Sequence, residues 1–173
     1  MSTATLEGLE GRSGGTTALW LRRGFVGLLA LGMLAALLGL LGDRTERVTA
    51  TSADGRWTLS LLHARLSRAG LDVPWEVTVT RRGGFEGPVV LGVTGTYFDL
   101  YETQGFRPEP SASYRDAQTL FLEFEPPPSG DVLVVAYDAY IQPASRQGSA
   151  GTVAVRSGEE VLVGLDFSTG LLP

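Results

Sequence analysis

The chain has 173 residues, with 14 Arg and no Lys against 19 Asp and Glu for a formal net charge of −5, and it contains no Cys. The missing Cys removes disulfides, thiol nucleophiles, thiolate zinc sites and a lipidated Cys, and the acidic balance speaks against a phosphate backbone, so no nucleic acid partner is expected. Asn is also absent and Ile occurs once, at Ile141; residues with A- and T-rich codons are scarce, a genome-composition effect that also removes N-linked glycosylation.

Met1 to Arg23 open the chain with Ser, Thr and Gly in excess, including the run Arg12-Ser13-Gly14-Gly15-Thr16-Thr17. Residues 1–23 are therefore predicted to be a disordered cytoplasmic tail. Gly24 to Gly42 then reads GFVGLLALGMLAALLGLLG, nineteen uncharged residues bounded by Arg22 and Arg23 before and by Asp43, Arg44, Glu46 and Arg47 after. At helical rise this run spans roughly 28 Å, close to a bilayer's hydrocarbon thickness, so a transmembrane helix is predicted over 24–42. A buried helix of a soluble protein would carry a polar face that this run lacks. Trp20 is placed to anchor it at the interface. Arg12, Arg22 and Arg23 on one side against Arg44 and Arg47 on the other predict a signal anchor with its N-terminus in the cytoplasm, which makes the chain a single-pass integral plasma-membrane protein with residues 43–173 outside. A cleaved signal peptide would have a shorter apolar core and a nearer small-x-small site, whereas Val48-Thr49-Ala50 and Thr51-Ser52-Ala53 stand beyond four charged residues. Gly32, Ala35, Ala36 and Gly39 share one helical stripe, a candidate packing surface for a protein partner in the membrane.

Past residue 42 the chain holds 17 Asp and Glu against 11 Arg, and the hydrophobic period changes to two. Strands are predicted over Val48 to Ala53, then, after the Asp54-Gly55 turn, Arg56 to Ala64 with Trp57, Leu59 and Leu61 on one side. Val73 to Arg82 follows with Trp75, Val77 and Val79 inward, then Pro88 to Phe98 after Gly83-Gly84. Gln118 to Glu125 groups Leu120, Leu122 and Phe124; Asp131 to Ile141, Gly151 to Arg156 and Glu160 to Thr169 complete the set, the last with Val161, Val163, Leu165 and Phe167 on one face. About eight strands with no helix between them predict an all-β domain over 43–173, a β-sandwich with a closed barrel as the alternative. Tyr101 to Ala117, with Gln104-Gly105-Phe106-Arg107-Pro108-Glu109-Pro110 inside it, is predicted to be a long irregular loop.

Leu66 to Val79, reading LSRAGLDVPWEVTV, and Pro88 to Val93 after a Gly-rich turn resemble the early strands of Ig-like sandwich domains of bacterial cell-envelope proteins. Ala69-Gly70 stands where such domains usually have Pro-Gly, and Arg81 where they have Asn. The resemblance implies an Ig-like antiparallel β-sandwich in an extracytoplasmic interaction domain, and it carries over no functional residue.

No catalytic, cofactor-binding or metal-binding residue is assigned. Ser60, His63 and Asp72 are a nominal triad without a nucleophile elbow, and one His without Cys leaves a zinc ion too few ligands. Asp99, Glu102, Glu109 and Asp116 lack calcium-loop spacing, Glu123 and Glu125 read as a solvated strand face, and Gly83-Gly84 and Gly148 to Gly151 lack the helix and Lys of a phosphate cradle. Aromatic side chains are in surplus instead. Tyr97, Tyr101, Phe106, Arg107 and Tyr114 border or occupy the long loop and form the candidate binding surface, beside Arg115 and Asp116. The expected function is non-enzymatic: a membrane-anchored envelope protein whose Ig-like domain binds a protein or an envelope polymer, with no small-molecule substrate or cofactor. The alternative is an accessory subunit that packs through its helix on a multi-spanning membrane protein.

Overall fold

A computed structural model describes residues 15–38, 42–102 and 105–172. The chain divides into two compact units, Met1–Gly42 and Asp43–Pro173. In the first, helix α1 runs Thr16–Leu37, with Gly15 at its N-cap. It starts eight residues before the expected Gly24 and takes in residues 16–23, which the sequence reading placed in the tail. The reason is local: Ala18, Leu19, Leu21, Arg22 and Arg23 are good helix formers with no Gly or Pro among them. Arg23 lies 6.0 Å from the centroid of the Trp20 ring, one turn away. Gly39 of the small-residue stripe and residues 40–41 lie outside the described residues, as does the tail up to residue 14. Over its 22 residues α1 has a mean hydropathy of 1.4 in its most apolar window, long and apolar enough to cross a membrane.

The second unit is built from strands. In chain order they are β1 (Arg44–Thr51), β2 (Trp57–Arg68), β3 (Asp72–Val73), β4 (Trp75–Arg81), β5 (Val89–Thr94), a 3-10 helix (Gly95–Leu100), then β6 (Phe106–Arg107), β7 (Ala112–Arg115), β8 (Thr119–Phe124), β9 (Val132–Tyr137), β10 (Ala139–Tyr140), β11 (Ser149–Ser157) and β12 (Glu160–Leu172). The pairing order β6-β9-β4-β2-β12-β11-β5-β8-β7 is one continuous path, with β1 added on β2 and a separate β3 and β10 pair. The expected two separate sheets are thus joined. Glu160 to Thr169 of β12 pair antiparallel with β11, and Gly170 to Leu172 pair parallel with Leu66 to Arg68 of β2.

The two ends of this path, β6 and β7, are neighbours in sequence, separated by Pro108 to Ser111. Five Cα steps reach at most about 18 Å, so the path curls and brings its two edges within that distance. This corrects the reading of Tyr101 to Ala117 as one irregular loop: Phe106 and Arg107 pair with Tyr137 and Ala136, and Ala112 to Arg115 pair with Leu120 to Glu123. Short strands flanked by Pro are a common way of finishing a sheet edge. Pro88 to Phe98 is likewise not a single strand, because the chain leaves β5 at Thr94 for the 3-10 helix, whose Tyr97 and Leu100, three apart, both turn inward.

The inward faces agree with the alternation in all but one place. Leu59, Leu61, Trp75, Val77, Val79, Leu122, Phe124, Val163, Leu165 and Phe167 are buried. Val161 is 51% exposed, since the β11 and β12 register slips between Val155 and Arg156. Trp75 is the centre of an aromatic cluster, with Phe98 at 5.3 Å, Phe106 at 6.1 Å and Tyr137 at 6.3 Å between centroids. Edge-to-face pairs of this kind are worth about 0.5 to 1.5 kcal/mol each beyond their buried area.

Candidate functional site

The five residues of the expected binding surface do not form one. Tyr97 and Tyr101 are buried at 0% and 2% exposure and belong to the core. Phe106 packs on Trp75, Phe98 and Tyr137, while Arg107 beside it is exposed and paired with Asp138. Tyr114 is exposed, but on β7 at the other end of the path, stacked on Phe121 at 4.7 Å. An aromatic surplus near Pro and Gly reads from sequence as a binding loop; here the 3-10 helix turns most of it into the core.

The buried tyrosines are held by a directed chain of hydroxyls. Thr169 Oγ1 donates to the Ala64 carbonyl at 2.6 Å, so its oxygen accepts from Tyr97 at 2.8 Å, and Tyr97 in turn accepts from Tyr101 at 2.7 Å. Burial first of all pushes both phenols above their ordinary pKa, in Tyr97 far above it, with the neighbouring Tyr101 hydroxyl adding to the effect. His63 is also buried and donates from Nδ1 to the Ala64 carbonyl at 3.0 Å, packed 5.4 Å from the Phe167 ring. Ser60, three residues earlier in the same strand, points to the other face and bonds Arg47 and Thr49, so the nominal triad does not assemble. Asp99, Glu102, Glu109 and Asp116 form no group of three acidic or His side chains among the described residues. Asp116 accepts from the Thr119 and Gln118 amides at 2.6 and 2.8 Å; these bonds, and to a lesser degree the charge of Arg156, hold its carboxyl below the usual range.

Where strands from both halves of the path end, a cleft of ≈ 360 Å³ opens between the start of β2, the end of β4, the start of β5 and the end of β11. Trp57 and Phe85, 6.1 Å apart, form its aromatic part, with the Arg81 guanidinium 5.3 Å from the centroid of the Trp57 ring. Arg81 is fixed by Nη1 donating to the Gly84 carbonyl at 2.7 Å and Nη2 to Glu86 at 2.8 Å. Gly83 and Gly84, at φ of +90° and +83°, make the tight turn that lets this carbonyl face back. Across the cleft Arg156 donates from Nη2 to the Glu159 carbonyl at 2.6 Å and lies 5.6 Å from the Phe121 ring centroid. Gly92 makes room for it, because a Cβ there would come within 3.0 Å of the Arg156 Cδ. The Nε groups of both arginines are buried without an acceptor among the described residues, a cost of about 1 to 3 kcal/mol each. Unsatisfied donors are rare in folded proteins and call for an explanation at each position.

A second cleft of ≈ 340 Å³ adjoins the first and shares Trp57 and Leu162 with it. It is lined also by Asp54, whose carboxylate accepts from Ser52 Oγ at 2.5 Å and from the Arg56 amide at 3.0 Å. These bonds hold the Asp54 carboxyl below its usual range, the Ser52 bond most of all, and shape the turn that carries Trp57. At the other end of β5 and β11 a wider hollow of ≈ 450 Å³ is lined by residues such as Asp99 and Arg146, with no aromatic ring. The paired clefts are the better candidate site, since an aromatic wall with a few charged groups is what recognition uses. They lie at the Ser52 to Arg56 turn, eight β1 residues, or roughly 26 Å, from the point where the chain enters the unit at Asp43. Sequence reading took Trp57 for plain core and passed over Phe85 and Arg156; the signal was three turns, Asp54-Gly55, Gly83-Gly84 and Ser157-Gly158, which only the strand pairing brings to one end.

No protein-family model, curated protein or solved structure matches the chain.

Proposed function

We propose that this is a single-pass membrane-anchored envelope protein whose β unit, outside the cytoplasm, binds a protein or an envelope polymer through the paired clefts around Trp57. The observation that carries the reading is the cleft itself: two ordered guanidiniums and an aromatic pair converge at the end of the unit remote from Asp43. Helix α1 supports the anchor by its length and hydropathy, and Arg22 and Arg23 near its N-terminal end, together with Arg12, support an N-terminus facing the cytoplasm. The resemblance of Leu66 to Val93 to Ig-like envelope domains belongs to the same reading, as does the absence of an enzymatic role. The test is site-specific photocrosslinking of the full-length chain in intact cells, with the reactive residue at Phe85 or Ser157 in the cleft and at Thr78 on a remote strand face. Adducts from the cleft positions alone, and digestion of the β unit by protease added outside spheroplasts, are the expected outcomes. Adducts from Thr78 only would move the site, and full protection of the β unit, under conditions that digest an exported control, would place it in the cytoplasm.

A further inference from the structure

Arg156 stands apart among the charges of the cleft. Its partner across the space, Arg81, is neutralised by Glu86, whereas Arg156 forms no direct ion pair among the described residues and acts only through space on the Asp116 carboxylate. It is nevertheless ordered, held by the Glu159 carbonyl and lying over Phe121 above Gly92. An ordered guanidinium with a free terminal nitrogen, in a chain whose overall charge is negative, is a local site for an anion and not part of a basic field. Glu123 lines the same cleft, half-buried; its carbonyl accepts from Ser111, while its carboxylate forms no ion pair in the described residues. Register places Glu123, Val90 and Arg156 in one row across β8, β5 and β11. The two charged residues are therefore two strands apart, about 9 to 10 Å, with a valine between them. A simple anion satisfies only one of the pair and is repelled by the other. A ligand that suits both offers a carboxylate to Arg156 and a hydroxyl donor to Glu123, and a flat apolar ring face suits Trp57 and Phe85.

Resting on the cleft as the ligand site, we propose that it binds an acidic glycan, a polymer of sugar rings bearing carboxylates. The carboxylate pairs with Arg156, a ring hydroxyl donates to Glu123, and a ring face lies on the Trp57 and Phe85 pair. The full-length protein in phosphatidylcholine nanodiscs is titrated calorimetrically with tetragalacturonate, with its methyl ester, which keeps the rings and hydroxyls but not the charge, and with tetraglutamate, which keeps the charge but not the rings. Tetragalacturonate binds, the other two bind at least about tenfold more weakly, and Arg156→Gln costs about tenfold while still giving a cooperative thermal melt. Arg107→Gln, on a strand at the end of the path, leaves binding as it is. Equal binding of the methyl ester overturns the acidic class but, if lost in Trp57→Ala, leaves the cleft as the ligand site. Tetraglutamate binding as well as the glycan overturns the sugar in favour of an acidic peptide. Binding by none of the three, or binding indifferent to Arg156→Gln, overturns the proposal outright.

Discussion

At Tyr97 and Tyr101 the physical chemistry of one residue type decides between surface and core. A phenol tolerates burial when its hydroxyl is bonded, and the chain from Tyr101 through Tyr97 and Thr169 to the Ala64 carbonyl supplies those bonds. The consequence is a pH dependence of known sign. Both phenols are raised above the ordinary value, so the folded state holds its protons where the unfolded chain, with tyrosines near about pH 10, gives them up. Stability is then fully present below about pH 10 and falls as pH rises beyond it, by up to about 1.4 kcal/mol per pH unit for each group. Urea unfolding between pH 8 and 11 measures this slope, and the double variant Tyr97→Phe with Tyr101→Phe is expected to flatten it even if its stability at pH 8 is lower. A parent and a variant with the same slope would mean that the tyrosines do not carry the effect. Nothing in the sequence near these residues separates a core tyrosine from a binding one; Thr169 is 72 residues from Tyr97, and only the fold brings them together.

Among the elements, α1 is the one that lies in a compact unit of its own. Its described residues are essentially all exposed, and Gly32 has nothing within 4 Å of where a Cβ would be. In a bilayer such a helix is either a passive anchor or packs on another helix through small residues, since lipid does not discriminate among apolar side chains. Gly32 with Ala36 is the small-xxx-small pair within the described helix. If it packs, on a second copy or on a multi-spanning partner as an accessory subunit would, then Gly32→Leu with Ala36→Leu weakens crosslinking in membranes without affecting insertion, and Leu34→Ile with Leu38→Ile does not. Parent-like crosslinking in both variants would make α1 an anchor only. The helix type was legible because apolar residues run unbroken, but its start was not: Thr16 to Arg23 are polar enough to read as tail, yet helical propensity does not depend on polarity. The strands show the same division. Alternation located β2, β4, β8 and β12, whereas the two-residue β6 and the four-residue β7 exist because a partner strand needed an edge, and no period is visible in so few residues.

Taken whole, the β unit is a curled sheet whose edge strands are consecutive in sequence, around a core in which Trp75 touches residues of the 3-10 helix, β6 and β9. A core this contiguous predicts autonomous folding: residues 43–173 without α1 give a β-type circular dichroism spectrum and one cooperative transition, and Trp75→Ala lowers its stability by about 3 to 5 kcal/mol. A loss below about 1 kcal/mol would show that Trp75 is not at the centre. By itself the sequence determined the two-part plan and the β class, together with most of the inward face, because hydropathy and a period of two are local properties written into neighbouring residues. The tertiary structure decided that the halves join through β12 and that the loop tyrosines are core. It also decided that Trp57, Arg81, Phe85, Glu123 and Arg156 share a cleft, since those facts depend on register between strands tens of residues apart, and the free energy of pairing distant segments has no signature in any one of them.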